Sequence, residues 1–145
     1  DLDKAQRSYE QEKQPHMLEL ASSYVERLTG ERYTLDILGI NKGVALINNN
    51  GERLELKFWS SGLADQVYLA LRLALAKVFS YQVESLPIIL DDILVRFDEN
   101  RQRSALELLA ELGKNQQIWL FTCQRSVYDM AQSIMGIDCH RLSRS

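Results

Sequence analysis

Two short apolar runs in the second half of the chain constrain the fold most. Residues 86–90 (LPIIL) and 118–122 (IWLFT) are long enough for buried strands and too short for typical helices. Between them, apolar residues recur at helical spacing over residues 101–112. A strand, a helix and a second strand predict a parallel α/β sheet with a right-handed crossover. A last helix over residues 126–135 and a closing strand over residues 138–142 complete the predicted core.

The first half of the chain has a different pattern. Residues 1–29 favour a helix, with Pro15 expected to kink or restart it and Gly30 expected to end it. Residues 33–58 contain three β-rich runs separated by Asn and Gly clusters, which predicts a three-stranded antiparallel patch. Residues 63–79 are apolar around nearly the whole helical circumference, which predicts a largely buried helix.

Both predicted strands of the second half are expected to be covered on both faces, because their apolar runs are continuous. For the same reason, the aromatic side chains within the apolar runs are predicted to be core residues rather than platforms that stack on bases. These aromatic residues are Tyr68, Phe79, Trp119 and Phe121.

Composition excludes several classes of function. The chain has 145 residues, of which 46% are hydrophobic and 26% charged, as expected of a globular domain. Its net charge of −3 argues against coating nucleic acid or anionic lipid through bulk charge. Neither a membrane-spanning run nor a signal peptide is evident, so we predict a cytoplasmic chain with no membrane partner. Cys123 and Cys139 lack further zinc ligands and are predicted to be free thiols.

The first candidate site is the start of the predicted buried helix. Ser60, Ser61 and Gly62 lie there, where free backbone N–H groups, the helix dipole and two hydroxyl groups suit an anion such as phosphate. A serine at this position is also an ordinary N-cap, which requires no ligand.

The other candidate sites carry carboxylates. Asp91 and Asp92 follow the first predicted strand, and neighbouring strand residues point to opposite faces. One carboxylate can therefore hold a hydrated Mg²⁺ while the other faces a reacting water, although both are equally compatible with a simple turn. Asp98 precedes the next helix and is either a functional loop residue or its N-cap.

In their order and joint spacing, these stretches resemble the C-terminal lobe of an ABC-type ATPase head of the SMC/SbcC kind, most closely the bacterial YhaN-like group. The segment that resembles the ABC signature and its helix is WSSGLADQVYLALRLAL. The segment that resembles Walker B is LPIILDD, the one that resembles the D-loop is VRFDENR, and the one that resembles the switch strand is IWLFTCQ. The segment YVERLTGERY resembles the end of a coiled-coil arm. The resemblance thus divides the chain into an arm end, residues 1–29, and the lobe, residues 30–145.

The resemblance implies a role for each candidate residue. Ser60 and Gly62 match signature positions that contact the γ-phosphate of ATP held by the opposite head. Asp91 matches the Walker B position that holds Mg²⁺ through water. Asp92 matches the carboxylate that orients or deprotonates the attacking water, and Asp98 matches the D-loop position that communicates across the dimer.

The chain departs from the family pattern at two of these positions. Asp92 is one methylene shorter than the more usual Glu, so its reach to the water depends on the placement of the backbone. Gln124 stands where the family usually has a switch histidine. Glutamine forms hydrogen bonds but cannot become cationic, so γ-phosphate sensing is retained in this interpretation while hydrolysis is expected to be slow.

No G-x-x-x-x-G-K-[ST] motif occurs in the sequence, so the loop that cradles the nucleotide phosphates is missing. In SMC-type proteins this Walker A motif lies in an N-terminal lobe beyond the coiled coil. The chain also begins at Asp1, without an initiator methionine. We therefore expect it to be part of a longer polypeptide and to carry half of an active site.

The resemblance implies that the complete protein is an ATPase that binds ATP and Mg²⁺ between two heads of a homodimer and serves DNA repair or processing. Its expected partners are the N-terminal Walker A lobe, a second head, DNA and, as in SbcC-type proteins, a calcineurin-like phosphoesterase nuclease. A second hypothesis is a non-catalytic module that senses nucleotide or binds a partner, with Gln124 as a degenerate switch position. A third is an unrelated phosphate-binding α/β domain.

Overall fold

The computed structural model describes Lys4 and residues 14–37, 43–80 and 86–142. The chain forms two compact units, Asp1–Ser85 and Leu86–Ser145. The functional division between residues 29 and 30 stays a prediction.

Helix α1 of the first unit, Gln14–Thr29, buries one face. Gly30 ends the helix as predicted: its φ is +77°, and its N–H donates to the carbonyl of Glu26 at 2.9 Å. Of the predicted polar helix over residues 1–14, the structure describes only Lys4 and Gln14, and Pro15 lies in the first turn of α1, so the course of the chain before Gln14 falls outside the described residues. The buried apolar residues of α1 recur every three or four positions and are Met17, Ala21, Tyr24, Val25 and Leu28.

The predicted antiparallel patch is confirmed. Its strands are β1 (Thr34–Ile37), β2 (Val44–Ile47) and β3 (Arg53–Glu55), in the order β1-β2-β3. The third strand is shorter than predicted, because the chain turns into a 3₁₀ helix over Leu56–Phe58. The Asn-Gly turn before β3 has Gly51 at φ +78°, the left-handed conformation that favours glycine.

Helix α2, Ser61–Ser80, follows this patch and packs against α1. The amide Nε2 of the fully buried Gln66 donates to the carbonyl of Leu28 at 2.8 Å, at the end of α1. The helix is largely buried, as predicted, but Tyr68 and Phe79 are 64% and 45% exposed, so the prediction that these two aromatic residues lie in the core is wrong. An apolar circumference does not by itself tell which of its faces the rest of the chain covers.

The second unit is the predicted α/β core. It contains β4 (Ile88–Asp91), α3 (Glu99–Leu112), β5 (Ile118–Phe121) and α4 (Arg125–Gln132), and β4 pairs with β5 in parallel. The predicted closing strand is wrong, since residues 137–142 form no regular structure. Among the described residues, β5 pairs only with β4, and this segment and β5 both line a cavity of about 780 Å³.

One face of the β4–β5 sheet is open. Ile88 and Leu90 are buried, whereas Ile89, Trp119 and Phe121 are 54%, 45% and 44% exposed. The prediction that both faces are covered, with the aromatic residues in the core, is therefore wrong. A continuous apolar run looks the same whether its second face is covered by the same chain or by another part of an assembly.

Candidate functional site

The carboxyl ends of β4 and β5 form the centre of the candidate site. Because the strands are parallel, both end at one edge of the sheet, with Asp91 opposite Phe121. This register brings Asp92 beside Thr122 and places Gln124 just before helix α4. The structure thus brings together three of the predicted site residues, Asp91, Asp92 and Gln124, within the second unit.

Asp92 lies at a sharp turn of the backbone. Its φ is +50°, a left-handed conformation that aspartate tolerates better than most residues other than glycine. Its N–H donates to the carbonyl of Phe121 at 2.7 Å, and its Oδ1 accepts a hydrogen bond from the Thr122 hydroxyl at 3.1 Å. The half-buried carboxylate is therefore held at the end of β5.

Asp91 has a different environment, although it is the neighbouring residue. It is the last residue of β4, it is exposed, and it lies on the open face with Ile89. Within residues 86–142 and the other described segments, no hydrogen bond or ion pair engages its carboxylate. The two carboxylates therefore differ in environment, since that of Asp92 is held by Thr122 and that of Asp91 is exposed, while their roles stay a prediction.

Thr122 joins the two strand ends and was not singled out from the sequence. Its Oγ1 accepts the backbone N–H of Gln124 at 3.0 Å while its hydrogen is donated to Asp92. The signal was a hydroxyl residue directly after a strand and opposite a carboxylate, but recognising it requires the register of the two strands.

Gln124 precedes the first residue of α4, yet its side chain does not cap that helix. Its Oε1 is buried and has no hydrogen-bond partner among the described parts of the chain. A buried amide oxygen without a donor is costly, so a donor from outside this set, such as water or a ligand, would complete the site.

The carboxylate oxygens at this site suit Mg²⁺ better than a metal ion that is coordinated by several protein side chains. No group of three or more His, Cys, Asp or Glu side chains suited to a metal occurs among the residues that the structure describes. Magnesium is commonly held by one or two carboxylates together with water and nucleotide phosphates, and Asp91 offers such an uncommitted carboxylate.

Asp98 is the N-cap of helix α3. Its carboxylate accepts the backbone N–H of Arg101 at 2.8 Å, and the Arg101 Nε lies 3.6 Å from Oδ2. The capping interpretation is therefore confirmed, while the D-loop role stays a prediction.

The predicted signature segment lies in the first unit. Ser60 caps helix α2, since its Oγ accepts the N–H of Leu63 at 3.1 Å. Ser61 is exposed and Gly62 half-buried. Trp59 fixes this helix start, because its indole N–H donates to the carbonyl of Leu54 in β3 at 3.0 Å. The N-cap role is confirmed, and contact of these residues with a phosphate stays a prediction.

The comparisons with known proteins match the chain to SMC-type heads. Over 122 residues it is 34% identical to YhaN of Bacillus subtilis (strain 168), covering 82% of the chain and 12% of YhaN. A structure concerned with ATP-driven dimerization and DNA stimulated activation of SMC ATPases matches with a TM-score of 0.67 at 17% identity, covering 97% of this chain and 84% of that one. The SMC head domain from Thermotoga maritima matches with a TM-score of 0.62 at 19% identity, covering 88% and 44%. No protein-family model matches.

The chain has the fold of the C-terminal lobe of an SMC-like ABC ATPase head, which confirms the predicted fold class. Its sequence is similar to that of YhaN, which confirms the YhaN-like resemblance, although the chain spans only a small part of the length of that relative.

The cysteines agree with the sequence prediction. Both cysteines are free thiols, and burial, with a smaller contribution from Asp138, raises the pKa of Cys139 above its usual value. Among the described helices, none combines the length and the apolar character needed to cross a membrane.

Proposed function

We propose that this chain is the C-terminal half of an ATP-binding and ATP-hydrolysing head, and that two such heads pair with ATP and Mg²⁺ between them. The observation that carries the proposal is the hydrogen-bonded arrangement of Asp92, Thr122 and Gln124 beside the uncommitted Asp91, at the strand ends of an SMC-type fold. ATP, when bound, supplies the phosphoryl group whose transfer to water is the reaction.

In this proposal Asp91 holds Mg²⁺ through water, and Asp92 orients the attacking water and accepts its proton. The amide Nε2 of Gln124 donates to the γ-phosphate, and its buried Oε1 accepts a hydrogen bond from the water. Residues 60–62, at the start of helix α2, contact the γ-phosphate of the ATP that the opposite head binds. Asp98 communicates across the dimer while it caps α3.

The N-terminal Walker A lobe is the proposed cover for the open face of the β4–β5 sheet. Ile89, Trp119 and Phe121 on this face are more apolar than a solvated surface requires, and Asp91 belongs to the same face. A lobe seated there would exclude water from these side chains and bring the nucleotide phosphates to the carboxylate.

Coupling to DNA repair or processing, an SbcC-type relationship, a phosphoesterase nuclease partner and a cytoplasmic location are further parts of the proposal. They are supported by resemblance, including the DNA stimulated activation of SMC ATPases named for one matching structure.

The chain alone is expected to bind ATP weakly and not to hydrolyse it. The signature helix start contacts only the outer phosphate, and the Walker A loop that would supply most of the binding energy is not in this sequence. We expect a Kd above about 1 mM, equivalent to no more than about 4 kcal/mol of binding free energy. Isothermal titration calorimetry of the chain with ATP and Mg²⁺ tests this, and micromolar affinity would contradict the division of the site between two lobes.

A second candidate function is a non-catalytic module that senses nucleotide, and Gln124 favours it. If the switch position requires a cation for fast hydrolysis, Gln124→His in the complete head should raise kcat about tenfold, equivalent to about 1.4 kcal/mol. ATP affinity should hardly change, because the gain belongs to charge that develops in the transition state. The backbone bond from residue 124 to Thr122 is independent of the side chain and should persist.

Steady-state ATPase rates of the original head and of the Gln124→His head, measured at equal dimer fraction, decide between the ATPase and the non-catalytic module. An increase from a slow rate supports the ATPase with a weakened switch. An already fast rate that does not rise would show that Gln124 is competent, whereas no activity in either version would favour the non-catalytic module.

A further inference from the structure

We propose that Thr122 is a positioning residue that holds the Asp92 carboxylate and the backbone at Gln124 in one hydrogen-bonded unit. The proposal rests on the proposed ATPase function and assigns a role to a residue to which the resemblance assigned none. The group that activates water and the group that senses the γ-phosphate would then be kept in fixed relative positions by a single hydroxyl.

The geometry defines the direction of both hydrogen bonds. A threonine hydroxyl has one hydrogen to donate and two lone pairs that accept. The backbone N–H of Gln124 can only donate, at 3.0 Å, so it occupies an accepting position of Thr122. The hydroxyl hydrogen is then available for Asp92 Oδ1 at 3.1 Å. Oδ2 and the remaining lone pairs of the carboxylate stay available for a water.

The contact with Asp92 is not explained by local turn chemistry. A threonine hydroxyl that accepts the N–H two residues later is a common turn feature, and it accounts for the bond from Gln124 alone. The bond to Asp92 joins residues 30 positions apart that directly follow two neighbouring strands. It adds to the backbone bond from Asp92 N–H to Phe121, so both the main chain and the side chain of Asp92 are fixed to β5.

Because the side chain of Asp92 is short, the position of its carboxylate depends strongly on the hydrogen bond from Thr122. Asp92 has one rotatable bond fewer than glutamate, so the position of its oxygens follows the backbone closely, and the backbone is itself in a left-handed turn. An activating group must be held within about 0.5 Å of its productive position. The β-branched threonine has a restricted χ1 and therefore presents its hydroxyl with less freedom than serine would.

The test compares Thr122→Val with Thr122→Ser in the complete head. Valine keeps the branched shape and removes the hydroxyl, whereas serine keeps the hydroxyl. Since a misplacement of about 1 Å can cost about a hundredfold in rate, we expect Thr122→Val to lower kcat by about ten- to a hundredfold with little change in ATP affinity. Thr122→Ser should stay within about threefold of the original kcat, because its hydroxyl restores the positioning contact.

If Thr122 only stabilised the fold, the double variant and the amide exchange rates would not show the following behaviour. Because Thr122 acts through Asp92, adding Thr122→Val to Asp92→Asn should cause no further loss in the residual rate. Amide hydrogen exchange at Gln124 should become faster in Thr122→Val and stay slow in Thr122→Ser. Multiplying losses in the double variant, or failure of serine to rescue, would overturn the proposal.

Failure of this proposal is distinguishable from failure of the proposed function. If Asp92→Asn stops turnover and Thr122→Val stays within twofold of the original rate, the ATPase assignment stands and the role of Thr122 is overturned. If the unmodified complete head shows no ATPase activity, the proposed function is overturned, and the role of Thr122 in it with it.

Discussion

Asp92→Asn in the complete head is expected to lower the ATPase rate by about 10²- to 10⁴-fold, the range for loss of a general base. The amide keeps the size of the carboxylate but loses its negative charge and its basicity. Nucleotide binding should stay largely intact, because Asp91 and the phosphate-binding groups are unchanged. Turnover and ATP affinity are measured on the same preparation, and a rate within twofold of the original would mean that another residue activates the water.

Asparagine is the matched substitution at this position for two structural reasons. It tolerates the left-handed backbone at φ +50°, as aspartate does. Its amide oxygen can also accept the hydrogen bond from Thr122. The thermal midpoint should therefore change little, and Asp92→Ala, which loses both advantages, serves as the comparison for any effect of folding.

Ser60→Arg is expected to abolish ATP-dependent pairing of heads. In the proposed dimer, the start of helix α2 approaches the γ-phosphate held by the opposite head, and a long side chain at this start would occupy that space. Light scattering of the complete head with and without ATP measures the pairing. Unchanged pairing would show that residues 60–62 are not the signature contact.

The control for Ser60→Arg follows from the N-cap. Ser60 accepts the N–H of Leu63, and loss of an N-cap costs about 1 kcal/mol, which lowers the thermal midpoint by a few degrees. Ser60→Ala loses the same cap without adding bulk, so both variants should have similar midpoints. A much lower midpoint for Ser60→Arg would attribute lost pairing to unfolding rather than to the interface.

Local features of the fold were predictable from the sequence. The order of strands and helices follows from the spacing of apolar residues, and the end of α1 at Gly30 and the turn at Gly51 follow from glycine conformations. The N-cap roles of Ser60 and Asp98 were foreseen as alternatives, because both residues stand at the start of a predicted helix. Each of these features depends on a few neighbouring residues.

Features that depend on the surroundings were not predictable. Trp119 and Phe121 look like core residues in sequence, yet the face that carries them is open. Residues 138–142 look like a strand, but strand formation needs a partner edge, and among the described residues this segment pairs with none. Thr122 was missed because its significance depends on a contact between residues distant in sequence.

The left-handed backbone at Asp92 has a consequence for how this site can vary between related sequences. Replacing Asp92 by the glutamate that is usual in ABC heads adds reach, but it also places a residue without aspartate's tolerance in a conformation that costs about 1–2 kcal/mol. The longer side chain would also move its carboxylate beyond the position in which Thr122 meets it. We therefore expect exchange between the short and the long carboxylate to be accompanied by changes in the backbone turn and at residue 122.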